Sequence, residues 1–269
     1  MLVIGEKINA SNKSVGEAIV GKDRQFLQDL AGEQDAAGSD FIDVNAGVGL
    51  GAWNSAEEAM EWLVELVQEV TDKPLTIDSD VPGVIEAGLS KYRGDSVMIN
   101  SVNAEPERLD AIGRMAAERQ ALLVALVMDE GGIPSTVEAR VDASERIMEH
   151  LARLGVGEDC VFFDPLVLPI SVDAGQGLVT LRTIERIKAR FPSSKTVMGL
   201  SNISYGLPRR GMINRAFLLM AAAAGLDAAI LNPLDSKMMS MVKVGDMLTA
   251  KDPSCKAFIR AHRRDLLVD

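Results

Sequence analysis

Cysteine, histidine and aromatic side chains are scarce in this chain of 269 residues, which has two cysteines, two histidines and 4% aromatics. Cys160 and Cys255 lie far apart and offer no zinc or iron–sulfur spacing. Cys160 begins an apolar run and reads as a core filler. His150 falls in a helical pattern and His262 in a charged tail, so neither stands at a strand end. Positive charge is also short, with 28 Lys+Arg against 39 Asp+Glu and a formal charge of −11. That balance lacks the basic footprint of a nucleic-acid-binding protein. No run approaches the roughly 20 apolar residues of a membrane-spanning helix. Met1 leads straight into a candidate strand, so no signal peptide is expected and the cytoplasm is the expected compartment. Walker, dinucleotide-binding and nucleophile-elbow motifs are missing. The carboxylates form no short ligand cluster, so no tightly bound metal is expected. Lys7 is the nearest strand-end lysine, and nothing around it suggests the desolvation a Schiff-base lysine needs.

What the chain does have is 47% hydrophobic residues and a recurrent pattern of short apolar runs, each followed by an acidic, amide or hydroxyl side chain. The series is Val3–Ile4–Gly5–Glu6, Phe41–Ile42–Asp43–Val44–Asn45, Leu75–Thr76–Ile77–Asp78, Val97–Met98–Ile99–Asn100, Leu126–Val127–Met128–Asp129, Val161–Phe162–Phe163–Asp164, Val197–Met198–Gly199–Leu200–Ser201–Asn202 and Ala229–Ile230–Leu231–Asn232. Helical patterns separate them at 23–37, 55–67, 84–89, 106–117, 137–154, 178–189, 213–224 and 237–248. Ser55 and Glu58 have the spacing of a reciprocal capping box. Strand starts near residues 2, 40, 75, 97, 121, 160, 196 and 228 leave room for eight βα units. The expected fold is therefore a (β/α)8 TIM barrel occupying residues 1–269 as one domain, with a short docked helix in the tail. A doubly wound open sheet is the structural alternative, but it would not require every strand to end toward one centre.

In a barrel, those polar strand ends converge on one mouth. Asp78 and Asp164 are carboxylates able to accept two parallel N–H bonds from a guanidine-like edge. Asp43 and Asn45 form a second acidic and amide corner. Asn100 and Asn202 each supply a donor and an acceptor without charge, which suits a heterocycle whose edge alternates the two. The competing explanation is that each Asp or Asn caps the helix of its own βα unit. It weighs most for Asn232, before Pro233, and for Asp129, before a Glu-Gly-Gly turn. Capping accounts for the residues singly but not for their convergence.

Several strings resemble the pterin-binding methyltransferase family. They include Ile4–Gly5–Glu6–Lys7–Ile8–Asn9, Phe41–Ile42–Asp43–Val44–Asn45–Ala46–Gly47, Ile77–Asp78–Ser79 and Met98–Ile99–Asn100–Ser101–Val102–Asn103–Ala104. Phe163–Asp164–Pro165–Leu166–Val167–Leu168–Pro169 and Gly199–Leu200–Ser201–Asn202–Ile203–Ser204 continue the likeness in order. Within that family the chain resembles the methyltetrahydrofolate:corrinoid protein methyltransferases, including those that run in reverse. The resemblance implies a barrel that binds the pterin of tetrahydrofolate or 5-methyltetrahydrofolate in its mouth. It implies pterin contacts from Asp78, Asn100 and Asp164, with Asn202 beside N5 as the catalytic residue. Asp43, Asn45, Gly199 and Ser201 would line the same cavity, and Arg210 matches an arginine that recurs nearby. The Asp-x-His-x-x-Gly corrinoid signature is missing, so the resemblance implies a corrinoid (cobalamin) carried by a separate protein partner. It also implies a homodimer, for which the small and soft residues Met220–Ala224, Met238, Met239 and Met241 offer a surface. A dihydropteroate synthase-like enzyme is an alternative, but no lysine stands in the late strand end Gly199–Asn202. A noncatalytic pterin-binding subunit is another.

Overall fold

Alternation along each strand decides what fills this molecule. Side chains two residues apart share a strand face, and one set of them, Ile4, Phe41, Met98, Val124, Phe162, Val197 and Ala228, forms an apolar cluster made of strand residues alone. The alternate apolar strand positions, such as Ile42, Val44, Ile99 and Phe163, pack outward in two larger clusters that include helix residues. A sheet curled onto itself under a helical coat packs one face on strand residues alone and the other on helices, whereas an open doubly wound sheet would meet helices on both faces.

In the computed structural model, which describes residues 1–47 and 53–268, the strands are β1 (Leu2–Asn9), β2 (Phe41–Asn45), β3 (Leu75–Asp78), β4 (Met98–Val102), β5 (Leu122–Leu126), β6 (Val161–Asp164), β7 (Lys195–Gly199) and β8 (Ala228–Leu231). All neighbours are parallel, and β8 returns to pair with β1, closing the (β/α)8 barrel in chain order. Each strand begins at or beside its expected residue. The helices are α1 (Lys13–Val20), α2 (Arg24–Ala36), α3 (Ala56–Gln68), α4 (Pro82–Lys91), α5 (Pro106–Arg119), α6 (Val137–Arg153), α7 (Gln176–Arg190), α8 (Arg210–Ala224), α9 (Ser236–Leu248) and α10 (Lys256–His262).

Three local expectations need correcting. Helix α1 is an added element: it buries only Val15, Ala18 and Ile19, too short a stripe to stand out. Its Gly16 is required by contact, since a Cβ there would meet the Ala10 carbonyl oxygen at 2.6 Å. Ser55 does cap α3, accepting from Glu58 N–H, but Glu58 reaches back to Asn54 N–H rather than to Ser55. The tail helix α10 docks through Ala261, whereas Ile259 and Leu266 remain exposed.

Candidate active site

Following each inward apolar residue two positions up its strand leads to the mouth. Ile4 gives Glu6, Phe41 gives Asp43 and then Asn45, Met98 gives Asn100, Phe162 gives Asp164, Val197 gives Gly199, and Ile230 gives Asn232. Asp78 joins this layer because it is the register partner of Asn100. An apolar floor thus carries a polar layer toward the C-terminal edge of the sheet.

Two sub-clusters stand opposite one another in strand order. On β2–β4, Asn45 Nδ2 donates to Asp78 Oδ2 at 2.8 Å. Gly47 N–H donates to Asn45 Oδ1 at 2.8 Å, which fixes the direction of that amide. Burial raises the Asp78 carboxyl above the usual range, while hydrogen bonds from Asn45 and Asp43 pull it back. Asp43, only 2% exposed, is pushed well above the usual range by burial first and by the charge of Asp78 second. Asn100 is buried beside them.

Across the mouth, Asp164 is pushed up to about 6 by burial, opposed by the backbone N–H groups of Leu166 and Gly199. The Leu166 bond measures 2.8 Å. Leu166 has a left-handed backbone, φ 63°, a conformation costing a branched residue about 1–3 kcal/mol. A buried arginine from α6 holds this turn. Arg140 Nη1 donates to the carbonyls of Pro165 and Leu166, each at 2.9 Å, and Thr180 Oγ1 donates to Leu166 O at 3.0 Å.

Between these clusters, beyond β7, β8 and β1, lies a cavity of about 300 Å³ whose lining includes Glu6, Ser201, Arg210, Asn214, Asn232 and Asp235. Arg210 opens α8 and donates from Nε to Ser204 Oγ at 3.1 Å and from Nη2 to Ser201 O at 2.8 Å. It thereby ties α8 to the 3-10 turn Leu200–Ser204. Burial raises the Glu6 carboxyl, and the charges of Lys7 and Arg210 partly offset the shift. Asn202 stands exposed on that same turn.

The capping explanation fails for the central residues. Helix α4 has Val81 as its N-cap residue and Pro82 at its first position, and it takes no side-chain cap, so Asp78 is free of that duty. The caps of α5, α7 and α8 are likewise not side chains of Asn100, Asp164 or Asn202. Asp129 serves a local turn, accepting from Gly131 N–H and pairing with Arg146 at 2.6 Å. Asn232 accepts from Leu234 N–H, so it makes a turn while lining the cavity. Strand-end reading singled out Glu6 but gave it no role in the site, and it overlooked Arg140 altogether. The signal for Arg140 was an arginine on the apolar stripe of α6, in line with Ala143, Ser144, Ile147 and Leu151. Among the described residues, no group of three or more His, Cys, Asp or Glu is placed to hold a metal ion.

The chain is thus a closed parallel barrel with a layer of acidic and amide side chains at its mouth. The family model for pterin binding enzymes matches residues 5–232, and the chain belongs to that family. It is 33% identical over 268 residues to the methylcorrinoid:tetrahydrofolate methyltransferase of Eubacterium limosum, covering 98% of this chain and 97% of that protein. It is 33% identical over 257 residues to the methionine synthase of Mycobacterium tuberculosis, covering 91% of this chain but only 21% of that longer protein. Among solved structures, the dihydropteroate synthases of Xanthomonas albilineans and Coxiella burnetii share the fold. The first has a TM-score of 0.67 at 21% identity, covering 94% of this chain and 93% of that one. The second has a TM-score of 0.68 at 11% identity, covering 93% and 94%. At such identities the likeness speaks to architecture alone.

Proposed function

We propose that this chain moves a methyl group between N5 of tetrahydrofolate and the cobalt of a corrinoid carried by a separate protein. The observation that carries the reading is the inward layer of Asp78, Asn100 and Asp164, together with end-to-end similarity to a methylcorrinoid:tetrahydrofolate methyltransferase. In this reading Asp78 and Asp164 accept N–H bonds from the pterin, and Asn100 supplies a neutral donor and acceptor. Asn202, itself exposed on the turn that follows β7, stands in this reading beside N5, where its carbonyl oxygen stabilises positive charge on nitrogen. Preorganised dipoles of this kind contribute several kcal/mol to a transition state. The carboxylates orient the ring and form no bond to the methyl group. Holding the methyl group in line with its acceptor supplies a further large part of the rate.

The alternative is a synthase like those sharing the fold. Lys195 is the lysine of β7, and it lies at the strand's start, with Nζ on the Asp159 carbonyl at 3.3 Å, on the side away from the mouth. The end of β7 and its turn therefore offer Gly199, Leu200, Ser201 and Asn202 with no lysine for an anionic leaving group, and the cation that joins them, Arg210 of α8, is engaged with Ser204 Oγ and Ser201 O. That favours methyl transfer.

The deciding assay mixes the purified protein with methyltetrahydrofolate and reduced cobalamin, free or on a candidate corrinoid protein, and follows the cobalt absorbance. Methyl transfer in either direction is expected. No transfer with any corrinoid, alongside condensation of a pterin diphosphate with 4-aminobenzoate, would replace this reading with the synthase.

A further inference from the structure

The pterin contacts proposed above come from β3, β4 and β6, and the cavity of about 300 Å³ on the β7–β8–β1 side shares none of them. Two side chains stand side by side in its wall. Ile4 pairs with Ile230 and Gly5 with Leu231 in the β1–β8 register, so the lining residues one step on, Glu6 and Asn232, are neighbours on adjacent strands. Such strands lie about 4.8 Å apart. What acts on the Glu6 carboxyl is burial and the charges of Lys7 and Arg210; among the described residues no hydrogen bond reaches it. Asn232 gives its side-chain oxygen to Leu234 N–H at 3.1 Å, so its N–H2 group is the part left for the cavity. Arg210 and Asp235 are engaged: the first donates to Ser204 Oγ and Ser201 O, and the second caps α9 by accepting from Met238 N–H. Leu200, Leu231 and Met238 supply apolar wall.

An acceptor beside a donor, flanked by apolar wall, is the complement of a primary carboxamide on a short methylene stem, whose N–H2 and C=O share one edge. An anion would meet the Glu6 and Asp235 carboxyls, and a bare cation would meet the Asn232 N–H2 group. A corrin ring carries neutral carboxamide arms of this kind around its edge. Those on the face turned toward the barrel stay available while the other face rests on the carrier protein. We infer that this cavity is a subsite for one carboxamide arm of the corrin, with Glu6 accepting from the arm's N–H2 and Asn232 Nδ2 donating to its carbonyl. The inference rests on the proposed function and deepens it. A ring whose cobalt faces N5 beside Asn202 extends its edge past the adjoining Ser201, which lines the cavity. The volume admits an arm and not the macrocycle. Folate and corrin are then held by separate groups, the first by β3, β4 and β6 and the second by β1 and the end of β8.

The test compares free cob(I)alamin with a corrinoid whose arms have been hydrolysed to carboxylates, at saturating methyltetrahydrofolate. Glu6→Leu should raise the KM for cob(I)alamin about tenfold or more, with kcat within about threefold and folate affinity within about twofold. Asn232→Asp keeps the acceptor for Leu234 N–H and loses only the donor, and it should raise the same KM. The natural protein should use the carboxylate form at least about tenfold less well, and Glu6→Gln, which can turn an N–H2 toward a carboxylate, should erase most of that preference. An unchanged KM in folded Glu6→Leu, a folate affinity that falls as far as corrinoid affinity, or an arm preference that Glu6→Gln leaves intact overturns the subsite. Equilibrium dialysis of cob(II)alamin against the natural protein and Glu6→Leu repeats the comparison without turnover. Weaker binding by the variant supports the subsite even if no methyl group moves, in which case the proposed function fails by itself. Equal binding by the two, or none by the natural protein, overturns the subsite.

Discussion

Arg140 offers the most exposed quantitative test of how the site is held. It is 0% exposed, and no carboxylate lies in salt-bridge range of it among the described residues. Its charge is met instead by oxygen dipoles: Pro134 O from Nε, Pro165 O and Leu166 O from Nη1, and Gln176 Oε1 from Nη2, all at 2.9 Å. Burial lowers its pKa from the ordinary arginine value, yet an arginine stays protonated under any physiological condition. Arg140→Met keeps the apolar stem and removes every donor. Leu166 O would keep its bond from Thr180, leaving three acceptors orphaned at about 1–3 kcal/mol each. Relief from burying a charge returns part of that, so a net loss of about 3–5 kcal/mol is expected. The loss should fall hardest on the Asp164 turn, because Leu166 is held in its left-handed conformation partly by this guanidinium. Pterin affinity should therefore drop more than global stability implies. Arg140→Lys, which keeps the charge but cannot span four acceptors, should fall between the two. Urea unfolding combined with calorimetric titration of methyltetrahydrofolate measures both quantities. A Met variant within about 1 kcal/mol of the natural stability, with unchanged affinity, would refute the clamp.

Asn202→Ala should lower methyl transfer by about 10²-fold or more with a much smaller change in folate affinity; equal losses in single-turnover rate and in binding would deny it a transition-state role. Asp78→Asn and Asp164→Asn should each weaken folate binding by about 1–3 kcal/mol, and unchanged affinity in both would remove them from the site. The folded pKa of Asp164, about 6, lies above its unfolded value. Its contribution to stability is therefore full below the ordinary carboxylate range and is lost as pH rises through about 6. Folate affinity should run the opposite way, falling about tenfold from pH 6 to pH 5 or less steeply, and Asp164→Asn should flatten both curves. Light scattering should give a dimer mass, reduced to monomer by Met220→Glu; a monomer at micromolar natural protein would dismiss the association.

The surface behind that last expectation shows where sequence pattern stops being informative. Met238 and Met239 looked equally fit for packing or for an interface, and they are buried inside the molecule. The apolar groove on the outside lies instead between α7 and α8, lined by Ile170, Leu178, Ile203, Met212, Phe217 and Met220, with Met212 65% exposed. Which side of an amphipathic helix meets the barrel depends on crossing angles that composition does not record. The barrel itself was legible because eight apolar runs each ended in a polar residue, and period-two alternation carries that residue to the inside. Asp78, Asn100 and Asp164 could be read for the same reason. Asp43 was legible as polar but not as enclosed, since its depth depends on register with Thr76. Arg140 was hidden because it reaches the site from a helix, across a distance that no local spacing encodes.

Closure of the barrel has a consequence for the order in which this molecule becomes competent. The cavity beside Asn202 draws Glu6 from the first strand and Ser201, Arg210 and Asn232 from the last two units. It exists only after β1 has met β8, where Leu2 pairs with Ala228 and the Met1 ammonium reaches Asp246 at 2.6 Å. Contacts that span nearly the whole chain form late, because their loop entropy is lost before anything rewards it. If folate binds at this mouth, as proposed, folate added during refolding should accelerate nothing until the first and last strands are joined.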